Sequence, residues 1–457
     1  MDSIAKAASA HRDFFRQGHT RSVGFRLEYL HRLRKSLLRH EDDLYEAFWQ
    51  DLRKPKMETF ATEIGILLKE IRHHVKKLKK WAKPTRVPTD LLNFYATSRI
   101  IHEPYGVVMI MSPWNYPLQL SLLPLIGAIS AGNCALVKPA HYSARVSDVI
   151  RMMIHEAFPS EYVSVFTGNR QVNQAILDQR FDLIFFTGSI GLGKIVMEKA
   201  AKYLTPVVLE LGGKSPCIVE RDADIAIAAQ RIAFGKFLNA GQTCIAPDHL
   251  FVHSSVKKPL IDGISSWIEK CHGKDPEKSP DYGRIINHAQ VDRLDYLMRS
   301  GGTIVCGGKV DRQTRYVAPT LIDNIKINDP IMQEEIFGPL LPVIEFRRLE
   351  QVIETINRGE KPLAMYVFTD SKSRMDRILS CTSSGGGCIN DTIMHVANPS
   401  LPFGGVGHSG MGMYHGQYSF NTFSHHRSIL KKTTRFNTTV PYPPYKNKLR
   451  FVRWMLS

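Results

Sequence analysis

The chain is predicted to be an α/β protein, and three observations carry that prediction. From residue 106 onward, short apolar runs alternate with helical patterns, as expected of parallel sheets covered by helices. One segment, "FFTGSIGLGK" (185–194), is a strand, a glycine turn and a helix start in ten residues. The length of 457 residues, 43% of them hydrophobic, is enough for two or three sizeable cores.

In chain order, residues 21–52 place Phe25, Leu27, Leu30, Leu33, Leu37, Leu38 and Leu44 at helical spacing. In "LKEIRHHVKKLKKW" (68–81) the basic residues recur three and four apart, as on the solvated face of an amphipathic helix. Two prolines in "KPTRVPTD" (83–90) break that pattern, and "RIIHEPYG" (99–106) reads as an extended arm. "GVVMIMSP", "CALVKPA" and "FDLIFFTGS" are then strands, with "GLGKIVMEKAAKYL" helical. "PVVLELGG" and "PCIVE" follow, then the helical "IAIAAQRIAFGKFL", and a second alternating set continues through 300–395. The Pro- and Tyr-rich end, "TTVPYPPYKNK", reads as a surface arm or tail.

No run of eighteen apolar residues is present, so no membrane-spanning helix is expected. The start lacks the apolar stretch of a secretory signal. Seven scattered cysteines without a CxxC pair argue against a disulfide framework or zinc site and for a reducing, cytoplasmic setting. The net charge of +17 suits nucleic acid, a membrane surface or an anionic cofactor.

Cys244 sits in "FLNAGQTCIAPD" (237–248), in a bend with Gly241 before it and Pro247 after it. Alone, it is either a core thiol or a nucleophile, the thiolate being the reactive form. Glu210 in "LELGGKSP" ends an apolar strand, where α/β folds bind ligands, and suits a general base. Asn115 in "MSPWNYP" also follows a strand, and its amide is a neutral donor for an oxyanion, or else a turn former. Lys138 ends "ALVK", where it can donate to ribose or phosphate. Gly188 and Gly193 frame a turn that departs from GxGxxG but offers an anion a helix N-terminus. Glu334 and Glu335 are adjacent, so they do not face one another on a helix.

"SPWNYP", "FFTGS", "LELGGKSP", "NAGQTC", "QEEIFGP" and "PFGGVGHSGMG", in this order, resemble the aldehyde dehydrogenase superfamily over essentially the whole chain. "DYGRII" and "SFNTFSHHRS" are similar to the class 3 branch, which acts on fatty and aromatic aldehydes. The resemblance implies an aldehyde dehydrogenase-like α/β fold. A Rossmann-type NAD(P) domain would span 1–81 and 103–209, and an α/β catalytic domain 210–394. A bridging, oligomerising element with the tail would span 82–102 and 395–457. It implies a homodimer and oxidation of medium-chain, long-chain, aromatic or other bulky apolar aldehydes to acids. Cys244 would be the nucleophile, Glu210 the base, and Asn115 with the Cys244 N–H the oxyanion hole. Lys138 and Glu335 would hold ribose hydroxyls, Phe337 the nicotinamide side and Ser189 the pyrophosphate. His141, Gly188, Gly193 and Leu211 complete the implied cofactor set, and no metal is required. Tyr116, Leu120, Leu123, Phe234 and Leu238 flank the motifs and line an apolar entry, or equally fill the core.

One departure matters. Much of the family has a Glu three residues beyond the Lys, opposing a 2′-phosphate, and here "KPAH" has His141. NADP is therefore expected beside NAD, gaining as pH falls below about 6.5, the ordinary histidine value. The tail "YKNKLRFVRWMLS" sets Lys446, Lys448, Arg450 and Arg453 among apolar residues, suiting peripheral contact with an anionic membrane or packing on a partner subunit. No nucleic acid is expected. The rival readings are a catalytically dead basic scaffold and an enzyme that passes its thioester to coenzyme A.

Overall fold

The computed structural model describes residues 2–435, 437, 439–440 and 442–456. Its helices Asp2–Arg16, Val23–Arg39, Glu41–Leu52 and Gly65–Trp81 form the N-terminal layer. The predicted helical stretch 21–52 is thus two helices, broken at His40. In Gly65–Trp81 the basic residues Arg72, Lys76, Lys79 and Lys80 face outward, while Leu67, Ile71, Leu78 and Trp81 are buried. The same helix also buries Glu70 and His74, which meet at 3.0 Å.

These helices cover a six-stranded sheet in the order 410–411, 207–210, 183–187, 107–111, 134–138, 163–165. Every neighbouring pair is parallel except the first. Val107–Met111, Cys134–Lys138 and Leu183–Thr187 are buried throughout, which is why each reads as a continuous apolar run rather than an alternating one. The register aligns the strand ends: Met111 lies beside both Lys138 and Phe186, and Thr187 beside Glu210. Asn115, Lys138, Gly188, Ser189 and Glu210 therefore gather along one carboxyl edge, where such sheets bind ligands.

The second sheet has seven strands, in the order 303–306, 320–323, 340–346, 249–253, 216–219, 364–368, 386–389. Only Thr303–Cys306 runs antiparallel to its neighbour. Cys244 precedes the central strand His249–His253, so it approaches from the amino edge of this sheet.

A third sheet joins Thr85–Val87, Ala96–Pro104 and Ser424–Lys432 into an arm whose outer strand is almost wholly exposed. Gly410–Met411, which the sequence division groups with this arm, instead pairs with Leu209 and Glu210. The helix Gly416–Thr422 likewise packs on the buried helix Pro117–Ala131. The tail ends in the helix Leu449–Leu456, which lies against the turn Leu91–Asn93.

Candidate active site

Cys244 owes its position to an unusual approach of the backbone. After the helix Ile225–Phe237, Asn239, Ala240 and Gly241 take φ of 52°, 50° and 73°, three left-handed residues in succession. For Asn239 and Ala240 this conformation costs free energy that the surroundings must offset. Gly241 permits it at closest range, because a Cβ there would lie 2.3 Å from the Gly338 carbonyl oxygen. The bend is pinned from outside. Gln242 is fully buried, donates 3.0 Å bonds to the carbonyls of Asn239 and Arg284, and accepts from the Ile286 N–H at 2.9 Å.

Asn115 is buried, donates through Nδ2 to the Gln242 carbonyl at 3.1 Å, and has no partner for Oδ1 among the described residues. Its second amide hydrogen remains available for a ligand. The Tyr116 hydroxyl shares a 2.6 Å hydrogen bond with Thr243 Oγ1, tying the Asn115 turn to the residue before Cys244.

Glu210 is buried, and neither carboxyl oxygen has a partner among the described residues. Burial pushes its pKa well above the usual carboxylate range. Burial, together with the nearby carboxylates of Glu335 and Glu210, pushes the Cys244 thiol up to about 12. Perturbed groups of this kind cluster at reacting centres.

Cys244 and Glu210 line the same cavity, of about 210 Å³. Tyr116, Leu120, Phe234 and Leu238 line it too, with Phe234 exposed at its mouth. Leu123 does not line it; it is fully buried in the core. The remaining wall was not anticipated: Ala61, Thr62 and Ile66 from one side, Ile393, Met394, Val396 and Ala397 from the other, with Phe403 and Tyr414. Neither flanking segment carries a signal separating cavity wall from ordinary packing.

A larger cleft of about 760 Å³ lies beside it, lined by Ile190, Gly212, Gly213, Lys214, Glu335 and His408 among others. Of the residues expected to hold cofactor, only Glu335 lines this cleft, while Leu211 faces the smaller cavity. Glu335 and Glu334 part company. Glu334 is exposed and pairs with Arg293 at 3.0 Å, whereas Glu335 turns inward against Gly212, where a Cβ would fall 1.9 Å from its Oε2. Burial, and then Asp248, raise Glu335 to about 8. Lys214 anchors this loop, reaching the carbonyls of Ile331 and Glu334 at 3.0 and 2.9 Å and pairing with Asp248 at 2.5 Å. Phe337, also left-handed at φ 50°, packs edge-on against Trp114 at 5.4 Å.

These features suit a dinucleotide. Lys138 is buried, its ammonium has no hydrogen-bond partner among the described residues, and burial lowers it to about 8. Ser189 caps the helix Ile190–Ala201, whose free N–H groups face the strand edge. Gly188 and Gly193 are closed to side chains, since a Cβ would meet the Phe186 ring at 2.6 Å and the Leu211 side chain at 2.7 Å. His141 is exposed beside Tyr142, and burial and Lys138 both lower its pKa. Its protonation therefore begins below 6.5, so the expected window for NADP gain moves to lower pH. Among the described residues no cluster of three or more His, Cys, Asp or Glu could hold a metal ion, and no helix is long and apolar enough to cross a membrane.

A thiol and a buried carboxyl open onto one apolar pocket, with a larger cleft beside it, an arrangement that fits an oxidoreductase of the aldehyde dehydrogenase class. The aldehyde dehydrogenase family profile matches residues 1–429, and the chain belongs to that family. It is 47% identical over 441 residues to the 4,4'-diaponeurosporen-aldehyde dehydrogenase of Staphylococcus aureus, covering 96% of both chains. It is 43% identical over 446 residues to human aldehyde dehydrogenase family 3 member B1, covering 97% of this chain and 95% of that one, which agrees with the class 3 resemblance. The substrate-bound structure of Staphylococcus aureus AldH superposes with a TM-score of 0.98 at 46% identity, covering 99% of each chain. The enzyme oxidises aldehydes to carboxylic acids with NAD(P).

Proposed function

We propose that Cys244, Asn115 and Glu210 carry this oxidation, acting on long-chain or bulky apolar aldehydes. The observation that carries the reading is the shared cavity: Cys244 and Glu210 open onto one pocket whose other walls are almost entirely apolar. The Cys244 thiol gives its proton to solvent, and its sulfur bonds to the aldehyde carbon as the carbonyl π bond opens onto oxygen, giving a thiohemiacetal oxyanion. The free N–H of the Asn115 amide and the Cys244 backbone N–H stabilise that charge, an effect worth roughly 3–4 kcal/mol per donor in comparable sites. NAD(P) would supply the hydride acceptor here. Lys138 and Glu335 would hold its ribose hydroxyls, Ser189 its pyrophosphate and Phe337 the nicotinamide side. The thioester left on Cys244 is cleaved by water that Glu210 deprotonates, so one difficult step becomes two easier ones. Retention of a carboxyl at Glu210 favours water over coenzyme A as acceptor.

His141, in place of a carboxylate, removes a repulsion of roughly 1–4 kcal/mol per phosphate charge at about 4 Å. The enzyme therefore uses NADP as well as NAD. Reduced-cofactor formation at 340 nm, across aldehydes of rising chain length and ring size and with both cofactors, tests these points together. Catalytic efficiency should rise with apolar bulk. His141→Glu should shift kcat/KM toward NAD by about tenfold or more, on the order of 1.4 kcal/mol. Strict NAD use by the parent, with a silent substitution, would overturn the assignment of His141.

Two further points belong to this reading. The enzyme is a homodimer, and the exposed strand Ser424–Lys432 is an open edge of the kind that invites pairing with a second copy. The enzyme is cytoplasmic and touches anionic membrane through its tail. Leu449, Phe451, Trp454 and Leu456 are exposed there beside Lys446, Arg450 and Arg453, while Lys448 donates to the carbonyls of Thr439 and Tyr442. Each cation near such a surface contributes on the order of 1 kcal/mol. Removal of residues 446–457 should abolish low-salt co-sedimentation with phosphatidylserine vesicles. Equal pelleting of both forms would remove the tail from the argument.

A further inference from the structure

Lys54 follows the helix Glu41–Leu52 and its left-handed C-cap Arg53, in a stretch, "DLRKPK", that reads as surface charge. It is nevertheless 1% exposed. Its ammonium donates to Glu63 Oε1 at 3.0 Å and to the Asn115 carbonyl at 3.3 Å, and lies 4.2 Å from the centre of the Tyr116 ring. Both members of the Lys54–Glu63 pair have fully buried side chains. Glu63 sits in the widened π-helical turn Phe60–Ile64, and its other oxygen accepts from the Gln119 N–H at 2.8 Å. Widened turns of this kind recur at functional sites.

A buried ion pair is a poor device for stability alone, because apolar packing of the same volume serves as well or better. This pair lies directly behind the two residues that frame the nucleophile. The Asn115 carbonyl takes Lys54 Nζ and Asn239 Nδ2, the latter at 2.9 Å, so the peptide is held from two sides. The Tyr116 ring, under the ammonium, carries the hydroxyl that holds Thr243. Glu63 fixes the ammonium and the start of the helix Pro117–Ala131 together.

We propose that Lys54, held by Glu63, is a positioning residue that fixes the Asn115–Tyr116 turn and through it the oxyanion-binding geometry at Cys244. The proposal rests on the roles given above to Asn115 and Cys244. Lys54 touches no reacting atom; it acts through the turn.

The test is a double-mutant cycle in the full-length enzyme, read by rapid-mixing measurement of the first-turnover burst of reduced cofactor. Lys54→Gln alone leaves Glu63 buried without its counter-charge, so the informative variant pairs it with Glu63→Gln. Thermal melting and cofactor affinity by fluorescence quenching establish that this variant is folded and loads cofactor. Its burst rate should fall by about tenfold or more, against the roughly 10²–10³ lost when an oxyanion donor itself is removed. In an Asn115→Ala background the same pair should cost less than about threefold, because the group it positions is gone. A burst within about twofold of the parent, or equal losses in both backgrounds, would overturn the role of Lys54. If Asn115→Ala alone keeps the parent burst rate, the reading of the oxyanion site fails instead, and the two failures are thereby told apart.

Discussion

Cys244→Ala abolishes aldehyde oxidation, lowering turnover by roughly 10⁴-fold or more, the scale seen when a covalent nucleophile is removed from a site that otherwise remains assembled. Ester hydrolysis at the same site disappears with it. The fold is retained, because Cys244 is only half-buried and the bend around it is held by Gln242, Asn239 and Gly241 rather than by the thiol. Cofactor affinity also persists, since the proposed cofactor residues Lys138, Ser189, Glu335 and Phe337 are untouched. Thermal melting, cofactor titration and steady-state assay of one preparation check all three. A variant with a large share of parental turnover would end the covalent mechanism.

Glu210→Gln separates the two halves of the reaction. Loss of a general base costs typically about 10²–10⁴ in rate. Steady-state turnover should drop by that amount while a first burst, about one reduced cofactor per site, survives and stalls. Mass spectrometry of the intact protein should then find the acyl group on Cys244, and normal turnover would rule this role out. The pH profile gives a second reading. Glu210 must be ionised to accept the proton from water, and burial holds its pKa above the carboxylate range. Deacylation in the parent therefore climbs as pH rises through that raised value, and Glu210→Gln lacks the climb.

The parts of the site legible in the sequence share one property: each lies where an apolar run stops. Lys138 and Glu210 end buried strands, and Asn115 and Ser189 lie just beyond them, so their boundaries are sharp, and parallel register then aligns the strand ends. The parts that were not legible are set by contacts between distant segments. Lys54 meets Asn115 sixty-one residues on, and nothing in "DLRKPK" distinguishes a buried ammonium from a solvated one. The split between Glu334 and Glu335 depends on Lys214 and Arg293 gripping the backbone of that loop. Gly410–Met411 joins the first sheet as two residues inside a glycine-rich loop, too short for a period-two pattern to register. The pKa of His141 is lowered first by burial and then by Lys138, three residues before it, and neither the depth of the ring nor the direction of that ammonium can be read from the sequence.

The bend before Cys244 also bears on when the enzyme becomes reactive. Its three left-handed residues are held in place by carbonyls and N–H groups from residues 284–286, and by the close approach of Gly241 to Gly338. All of these lie downstream. On a ribosome the chain emerges amino end first, so the thiol leaves the exit about a hundred residues before the last of its supports. Until residue 338 has docked, the bend rests on its bonds to Asn115 and to residues 284–286 alone, without the close approach of Gly338 to Gly241. The nascent protein therefore carries Cys244 on a bend that is only partly supported, and its final geometry is set when the second sheet closes over it.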